Sequence, residues 1–461
     1  MINKRRIYEK NSYYKIFIFL FLIIIFSLFV KTYVTSGNPA SRFATIEMVV
    51  EQNTFIIDNS TFMGDAKAYD ISEIEVKPLM RRDDFQGVNG TNDKAFIDGY
   101  FYSDKPVISS IIGVPFYWIL FNIFNLSFSN NGAIVVFILT FFLAVIPGAL
   151  IGVFLFKTLL LFKLKEKKAM LLALSGALST LIFTYSVTFN NHLLSAFFIT
   201  IIIYIIFNLK INKLDVKNKK ISLIIIGFLA SLNLFSDLVS GGIFFVLLCI
   251  YLFLEPELRK HLLYFVIGFV PIAILHSILT ISITGDILPP SVHSEFWEYE
   301  GSNFDADSLS GTSVKHNLKS FLIYGFHLIF GYRGFLLYSP ILIFGIIEIF
   351  RRIKNKDKFR NEGVLMFVFA IVVIGYYSVF TDNFGGWSYG IRWFVPLIPG
   401  LFIFSAMSFE KISLFQKKLF YLFLVWSFLF AVVGAFEPWT DMWFSEFSFI
   451  NNLRELLRLI I

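Results

Sequence analysis

Long apolar runs recur from one end of this 461-residue chain to the other, and about 20 consecutive apolar residues make a helix that crosses a bilayer. Hydrophobic residues are 56% of the sequence, 59 of them Phe, and charged residues only 16%, well below the ~25% of soluble domains. A soluble globular fold is therefore excluded, and the expected class is an all-α polytopic membrane protein. The single cysteine, Cys249, lies inside an apolar run, which excludes an intramolecular disulfide, a zinc finger and paired-thiol redox chemistry.

The placement of charge predicts topology. The first apolar run, 16–34, follows Lys4, Arg5, Arg6, Lys10 and Lys15. It is longer than the apolar core of a signal peptide, so it reads as a retained helix with a cytoplasmic N-terminus at 1–15. A polar segment follows over 35–106, with twelve acids and seven bases. If 107–126 and 132–162 both spanned, the lysine-rich 163–168 would share a side with that acidic loop, which the positive-inside rule disfavours. We therefore expect 107–126 to lie at the outer interface as one or two short helices, broken at Gly113-Val114-Pro115. Spans follow near 132–156, 169–188, 192–208, 221–238, 242–254, 262–284, 335–350, 363–380, 393–408 and 417–436, with 318–330 a second interfacial segment. The organisation is thus a transmembrane module over 16–284 that includes the outer loop 35–131. An outer loop with its interfacial helix covers 285–334, C-terminal spans cover 335–437, and an extracytoplasmic tail covers 438–461.

On this assignment 26 of the 40 Lys and Arg fall inside with 9 of the 33 acids, and the outer segments are net negative. The net charge of +7 is a topology signal, and no nucleic-acid partner is expected. No repeat period or low-complexity tract is visible. Asn59, Asn89 and Asn125 begin Asn-x-Ser/Thr triplets in outer segments.

Ionisable residues inside the spans are few: His276, Asp237 near an outer end, and Glu348 near an inner end. Ion-coupled transport usually needs several at mid-membrane, so a pump or symporter is disfavoured. Polar signatures gather at outer helix ends instead. In GYFYSDKP (99–106), Lys105 is placed to hold a phosphate as a point charge, or to snorkel as an interfacial anchor beside Tyr102. In TDNFGGWSYGIRWFVPLIPG (381–400), Arg392 opens a span on its outer side and needs an anionic partner, a lipid phosphate or an acid such as Asp382. His192 in TYSVTFNNH (184–192) orients a substrate or caps its helix. Asn233 and Asp237 share one helix face, for substrate or for helix–helix hydrogen bonding. His293 and Glu295 lack a recognised metal-ligand spacing, so no metal is assigned; a divalent cation is not indicated.

Together, SRFATIEMVVEQNTFIID (41–58), DGYFYSDKPVISSIIGVPFY (98–117), TYSVTFNNH and GGWSYGIRWFVPLIPG (385–400) resemble the GT-C superfamily of membrane glycosyltransferases. The similarity lies nearest its protein mannosyltransferase and lipid A aminoarabinose transferase branch. The apolar runs above amount to about eleven transmembrane helices, and the resemblance implies a long first extracytoplasmic loop and interfacial juxtamembrane helices. It also implies inverting transfer of a hexosyl or pentosyl group from a polyprenyl-phosphate donor to an extracytoplasmic lipid, glycan or protein acceptor. Such a site needs a carboxylate for the acceptor proton, cations for the leaving phosphate and an apolar groove for the isoprenoid.

The Asp-Glu pair that often follows the first span in this family is missing from NPASRFATIE. As catalytic base we rank Asp93 first, then Glu47, Asp58 and Asp104. Lys105 maps onto the family's Lys-Pro motif as donor-phosphate ligand, followed by Arg392 and by Arg333 in GYRGF. His192, Tyr102, Asp237, Trp387 and Tyr389 are candidates for orienting substrate. A transporter or flippase of lipid-linked saccharides is the alternative from another class, and an inactive membrane scaffold a third. Composition favours a prokaryotic plasma membrane.

Overall fold

Nearly every apolar run becomes helix, and the interruptions fall where Pro, Gly or a capping hydroxyl intervenes. The structure, a computed structural model, describes residues 2–63, 91–212, 215–300, 302, 317–440 and 447–460, with side chains from 12 to 458 within these ranges. Asn89, residues 64–90 and 303–316 of the outer loops, and 441–446 of the tail lie outside the described residues.

The first helix, α1 (Ile2–Ser27), leads to α2 (Gly37–Glu51), which Ser36 caps by accepting from the Asn38 amide. An antiparallel hairpin follows, β1 (Lys94–Ile97) and β2 (Tyr100–Ser103), with Lys94 opposite Ser103 and Ile97 opposite Tyr100. Its two-residue turn is Asp98-Gly99, both at positive φ (49° and 88°). That conformation is what a two-residue hairpin requires and what Asp-Gly supplies. The helical class expected from the sequence holds, with this short hairpin added to it: aromatic residues and Ile97 on either side of an Asp-Gly turn pair as strands.

The run after the hairpin is α3 (Val107–Ile111) and α4 (Val114–Phe124), broken at Gly113. End to end, 107–124 is apolar and long enough to cross a membrane. Broken, its longer piece of 11 residues reaches only about 16 Å at 1.5 Å per residue. Next, α5 (Phe128–Thr140) passes through a π-helical turn at Phe141–Val145 into α6 (Ile146–Leu161). Pro147, which has no amide hydrogen to give to the preceding turn, accounts for that bulge.

The remaining helices are α7 (Glu166–Leu178), α8 (Leu181–Tyr185), α9 (Asn191–Asn212), α10 (Val216–Ser236), α11 (Leu238–Leu254), α12 (Pro256–Arg259) and α13 (Leu262–Thr284). After them come α14 (Leu318–Ile329), α15 (Phe335–Tyr338), α16 (Ile343–Lys354), α17 (Arg360–Phe380), α18 (Ile398–Ser408), α19 (Leu414–Phe436) and α20 (Ser448–Ile460). Seven segments among the described residues are long and apolar enough to span, Val107–Phe124 among them. The spans expected at 169–188 and 335–350 are each divided, at Ser179-Thr180 and at Ser339-Pro340, so helix length alone does not fix the number of crossings at eleven. The chain is an integral, multi-pass membrane protein.

Helices pack as membrane helices do, through small residues. A Cβ on Gly227 of α10 would lie 2.0 Å from the Phe265 carbonyl, and one on Gly268 of α13 2.0 Å from that of Ile224. The residues assigned to the inner side do meet at one end of the bundle. Lys210 binds Glu362 (2.6 Å) and Glu255 (3.5 Å), Arg352 binds Glu348 (2.8 Å) and Asp357 (2.6 Å), and Lys168 binds Glu410 (2.5 Å). The candidate site lies at the opposite end, where α2, the hairpin, the start of α9 and the α10–α11 junction converge.

Candidate active site

Lys105, just past the hairpin, points its ammonium between two carboxylates, 2.6 Å from Asp104 and 3.1 Å from Asp93. Asp104 is 7% exposed and Asp93 19%, so Asp93 is the more accessible of the pair. Burial pushes the Asp104 carboxyl above its usual range, against the pull of Lys105 and Arg42. Ser103 holds the turn, accepting from the Lys105 amide (3.2 Å) and sharing a 2.6 Å hydrogen bond with Ser41 of α2.

Arg42, a residue the sequence reading did not single out, is the centre of the arrangement. It is 1% exposed and reaches three helices. Its guanidinium donates to the Asn38 carbonyl (2.9 Å) and side-chain oxygen (2.5 Å), to Ser109 of α3 (3.3 Å) and to Asn191 of α9 (2.8 Å). Burial lowers its pKa to about 10, with Asp104, Asp93 and Asp237 opposing and Arg392 reinforcing the fall. It stays charged at neutral pH, and its field couples both sides of the site. The four-residue step from Asn38 to Arg42 places both on one face of α2, which was the available signal.

Beside this cluster, His192 Nδ1 lies 2.7 Å from Asp237, both buried, fastening the start of α9 to the α10–α11 junction. Asn233, on the same face as Asp237, accepts from Ser195 at 2.6 Å, so that pair does bridge helices.

A second group of cations sits on the loop 381–392 and on Arg333. Arg392 lies over the Trp439 ring, 5.0 Å from its centroid, and its Nε is buried with no hydrogen-bond partner. No ion pair joins it to Asp382 among the described residues. Arg333 is fully buried, donates to the Ser388 carbonyl, and leaves Nε and Nη2 unpartnered. Burial lowers its pKa. Trp387 is half-exposed, whereas Tyr389 is fully buried and donates to the Phe430 carbonyl at 2.7 Å. The backbone turns through positive φ at Phe384, Gly385, Gly386 and Gly390.

The other acids are engaged elsewhere. Asp58 accepts from the Phe101 amide (2.9 Å) and pins 56–58 to the hairpin. Glu47 accepts from the Ser60 hydroxyl (2.5 Å), the Thr61 amide (2.9 Å) and the Thr61 hydroxyl, holding 57–63 against α2. Burial pushes Glu47 up to about 7. A carboxyl raised in the folded state binds a proton that the unfolded chain has already lost, so stability falls as pH rises from about 4.5 to 7. Thermal unfolding at pH 5 and pH 8 tests this: the midpoint difference should shrink in Glu47→Gln, and an unchanged difference would contradict it. Tyr102 lines a narrow cleft with Lys105, His276 and Thr280. Among the described residues no three His, Cys, Asp or Glu come together as a metal site; His293 and Glu295 form only a 3.1 Å pair.

No protein-family model matches the chain, and no curated protein matches it by sequence. Solved structures do. The crystal structure of ArnT from Cupriavidus metallidurans bound to undecaprenyl phosphate matches with a TM-score of 0.54 at 10% identity, over 91% of this chain and 69% of that one. The apo form of that ArnT gives 0.52 at 11%, over 88% of this chain and 61% of its own. The Archaeoglobus fulgidus oligosaccharyltransferase tethered with an acceptor peptide gives 0.51 at 12%, over 94% and 56%. The chain thus spans between about half and two-thirds of these proteins, and at such identities the likeness is one of fold. By architecture the chain shares the fold of these two proteins, as its resemblance to the GT-C superfamily led us to expect.

Proposed function

We propose that the chain is a membrane glycosyltransferase that moves one sugar from a polyprenyl-phosphate donor to an acceptor at the extracytoplasmic surface, with inversion at the anomeric carbon. The observation that carries this reading is the Asp93–Lys105–Asp104 cluster beside buried Arg42, on the end of the bundle opposite the lysine-rich segments. The fold shared with a structure bound to undecaprenyl phosphate supports it.

In this mechanism an acceptor hydroxyl attacks the anomeric carbon, its oxygen–carbon bond forming as the bond to the phosphate oxygen breaks. Asp93, the more exposed carboxylate, takes the acceptor proton. Asp104 is buried against Lys105 and holds that ammonium in place. The leaving polyprenyl phosphate takes the bonding electrons, and Lys105 with Arg392 and Arg333 stabilises its charge. The buried unpartnered N–H groups of both arginines suit a phosphate that brings its own acceptors. The site would face outward from a prokaryotic plasma membrane, with the N-terminus cytoplasmic.

Lys105→Ala tests the donor role. Affinity for a polyprenyl phosphate, followed by intrinsic fluorescence in nanodiscs, should fall by about 10–100-fold, the range for a hydrogen bond to a charged group. Unchanged affinity would remove Lys105 from the phosphate site.

A further inference from the structure

Helix α20 takes no part in the chemistry above, yet it is the most clearly two-faced helix described. Ser448 and Asn452 form its protein-facing edge. Ser448 Oγ accepts from the Gly390 amide (3.1 Å) and shares a 2.8 Å hydrogen bond with the Tyr338 hydroxyl, while Asn452 donates to the Glu437 carbonyl (2.6 Å). Phe449 stacks on Phe430 of α19, ring centroids 3.9 Å apart, and Phe430 stacks in turn on half-exposed Trp426. Further round the helix, exposed Ile450 (53%) and Leu457 (47%), with half-buried Leu453 between them, form an apolar stripe. Arg454 and Arg458, one turn apart, border it. Arg458 also pairs with Glu455 at 2.7 Å on the exposed face.

We propose that α20 lies in the headgroup layer of the outer leaflet and forms a binding site for anionic phospholipid. Ile450, Leu453 and Leu457 would enter the acyl boundary, and Arg454 and Arg458 would meet lipid phosphates. Two features select a lipid surface over a protein partner. The stripe continues, through Phe449, Phe430 and Trp426, the apolar belt that α19 already exposes. Its border is cationic, the complement of a phosphate layer, and a helix with one apolar arc flanked by Arg is the form that rests in such an interface. Through Ser448 the same helix is fastened to Gly390, two residues from Arg392. It therefore fixes the height of the arginine-bearing loop relative to the headgroups. This inference does not rest on the reaction proposed above.

The lone native cysteine makes the test direct. A nitroxide at Leu457→Cys, in a Cys249→Ser background, is compared with one at exposed Asn53→Cys. Both are read in nanodiscs of phosphatidylcholine with and without phosphatidylglycerol. At 457 we expect relaxation by oxygen to exceed relaxation by a water-soluble nickel chelate, the reverse of 53. Adding phosphatidylglycerol should reduce chelate access at 457 several-fold, and Arg454→Gln with Arg458→Gln should abolish that lipid effect. Chelate access at 457 equal to that at 53 would overturn the proposal. So would shielding from both relaxants with dipolar broadening between labels, which would assign the stripe to a second copy.

Discussion

Sugar transfer by Asp93→Asn should fall by about 10²–10⁴-fold in kcat, the usual contribution of a positioned general base. The amide keeps the size and shape of the side chain but cannot accept the acceptor proton at neutral pH. Donor binding should hold or tighten, because Lys105 loses one of its two carboxylate partners, 3.1 Å away, and is freer to meet a phosphate. A split of that kind, kcat down and donor KM unchanged or lower, separates a base from a residue that merely holds the loop. Steady-state kinetics in proteoliposomes read both parameters. Equal losses in kcat and donor affinity would instead make Asp93 part of the binding scaffold.

Arg42→Met should destabilise the protein as well as silence it. Methionine fills similar length but leaves the side-chain oxygens of Asn38, Ser109 and Asn191 without their shared donor inside a buried junction. Three acceptors stranded at about 1–3 kcal/mol each predict a loss of about 3–9 kcal/mol. The expected result is a clear fall in Tm in detergent. Arg42→Lys should recover charge but not the fork that reaches three helices at once, and so should recover stability only in part. A methionine variant as stable as wild type would show that the junction is held by packing alone.

Much of the architecture was legible because lipid leaves so few ways to hide a backbone. Apolar runs had to be helices, and lysines had to gather at one end, as Lys168, Lys210 and Lys411 do. The Asp93, Asp104 and Lys105 cluster was legible for a related reason: these groups sit together in a short polar stretch where a membrane protein meets its headgroups. Arg42 was not. Its importance comes from burial among Asn38, Ser109 and Asn191, which are brought together only by the meeting of α2, α3 and α9. The hairpin was missed because its strands are only four residues each and lie inside the long polar segment 35–106. Glu47 and Asp58 stood just behind Asp93 as candidate bases in the sequence, since only the fold reveals that Ser60, Thr61 and the Phe101 amide occupy them. Asp382 was the nearest acid in sequence to offer Arg392 a partner, but the guanidinium turns to Trp439, which follows 47 residues later on another segment.

The most direct test is to reconstitute the wild-type protein in proteoliposomes and supply polyprenyl-phosphate sugars labelled in the sugar. Label should move to an acceptor in step with release of free polyprenyl phosphate, one for one, and both should be lost in Lys105→Ala. Labelled donor that crosses the bilayer intact, with no polyprenyl phosphate released, would contradict it and make the chain a carrier of its lipid instead of a transferase.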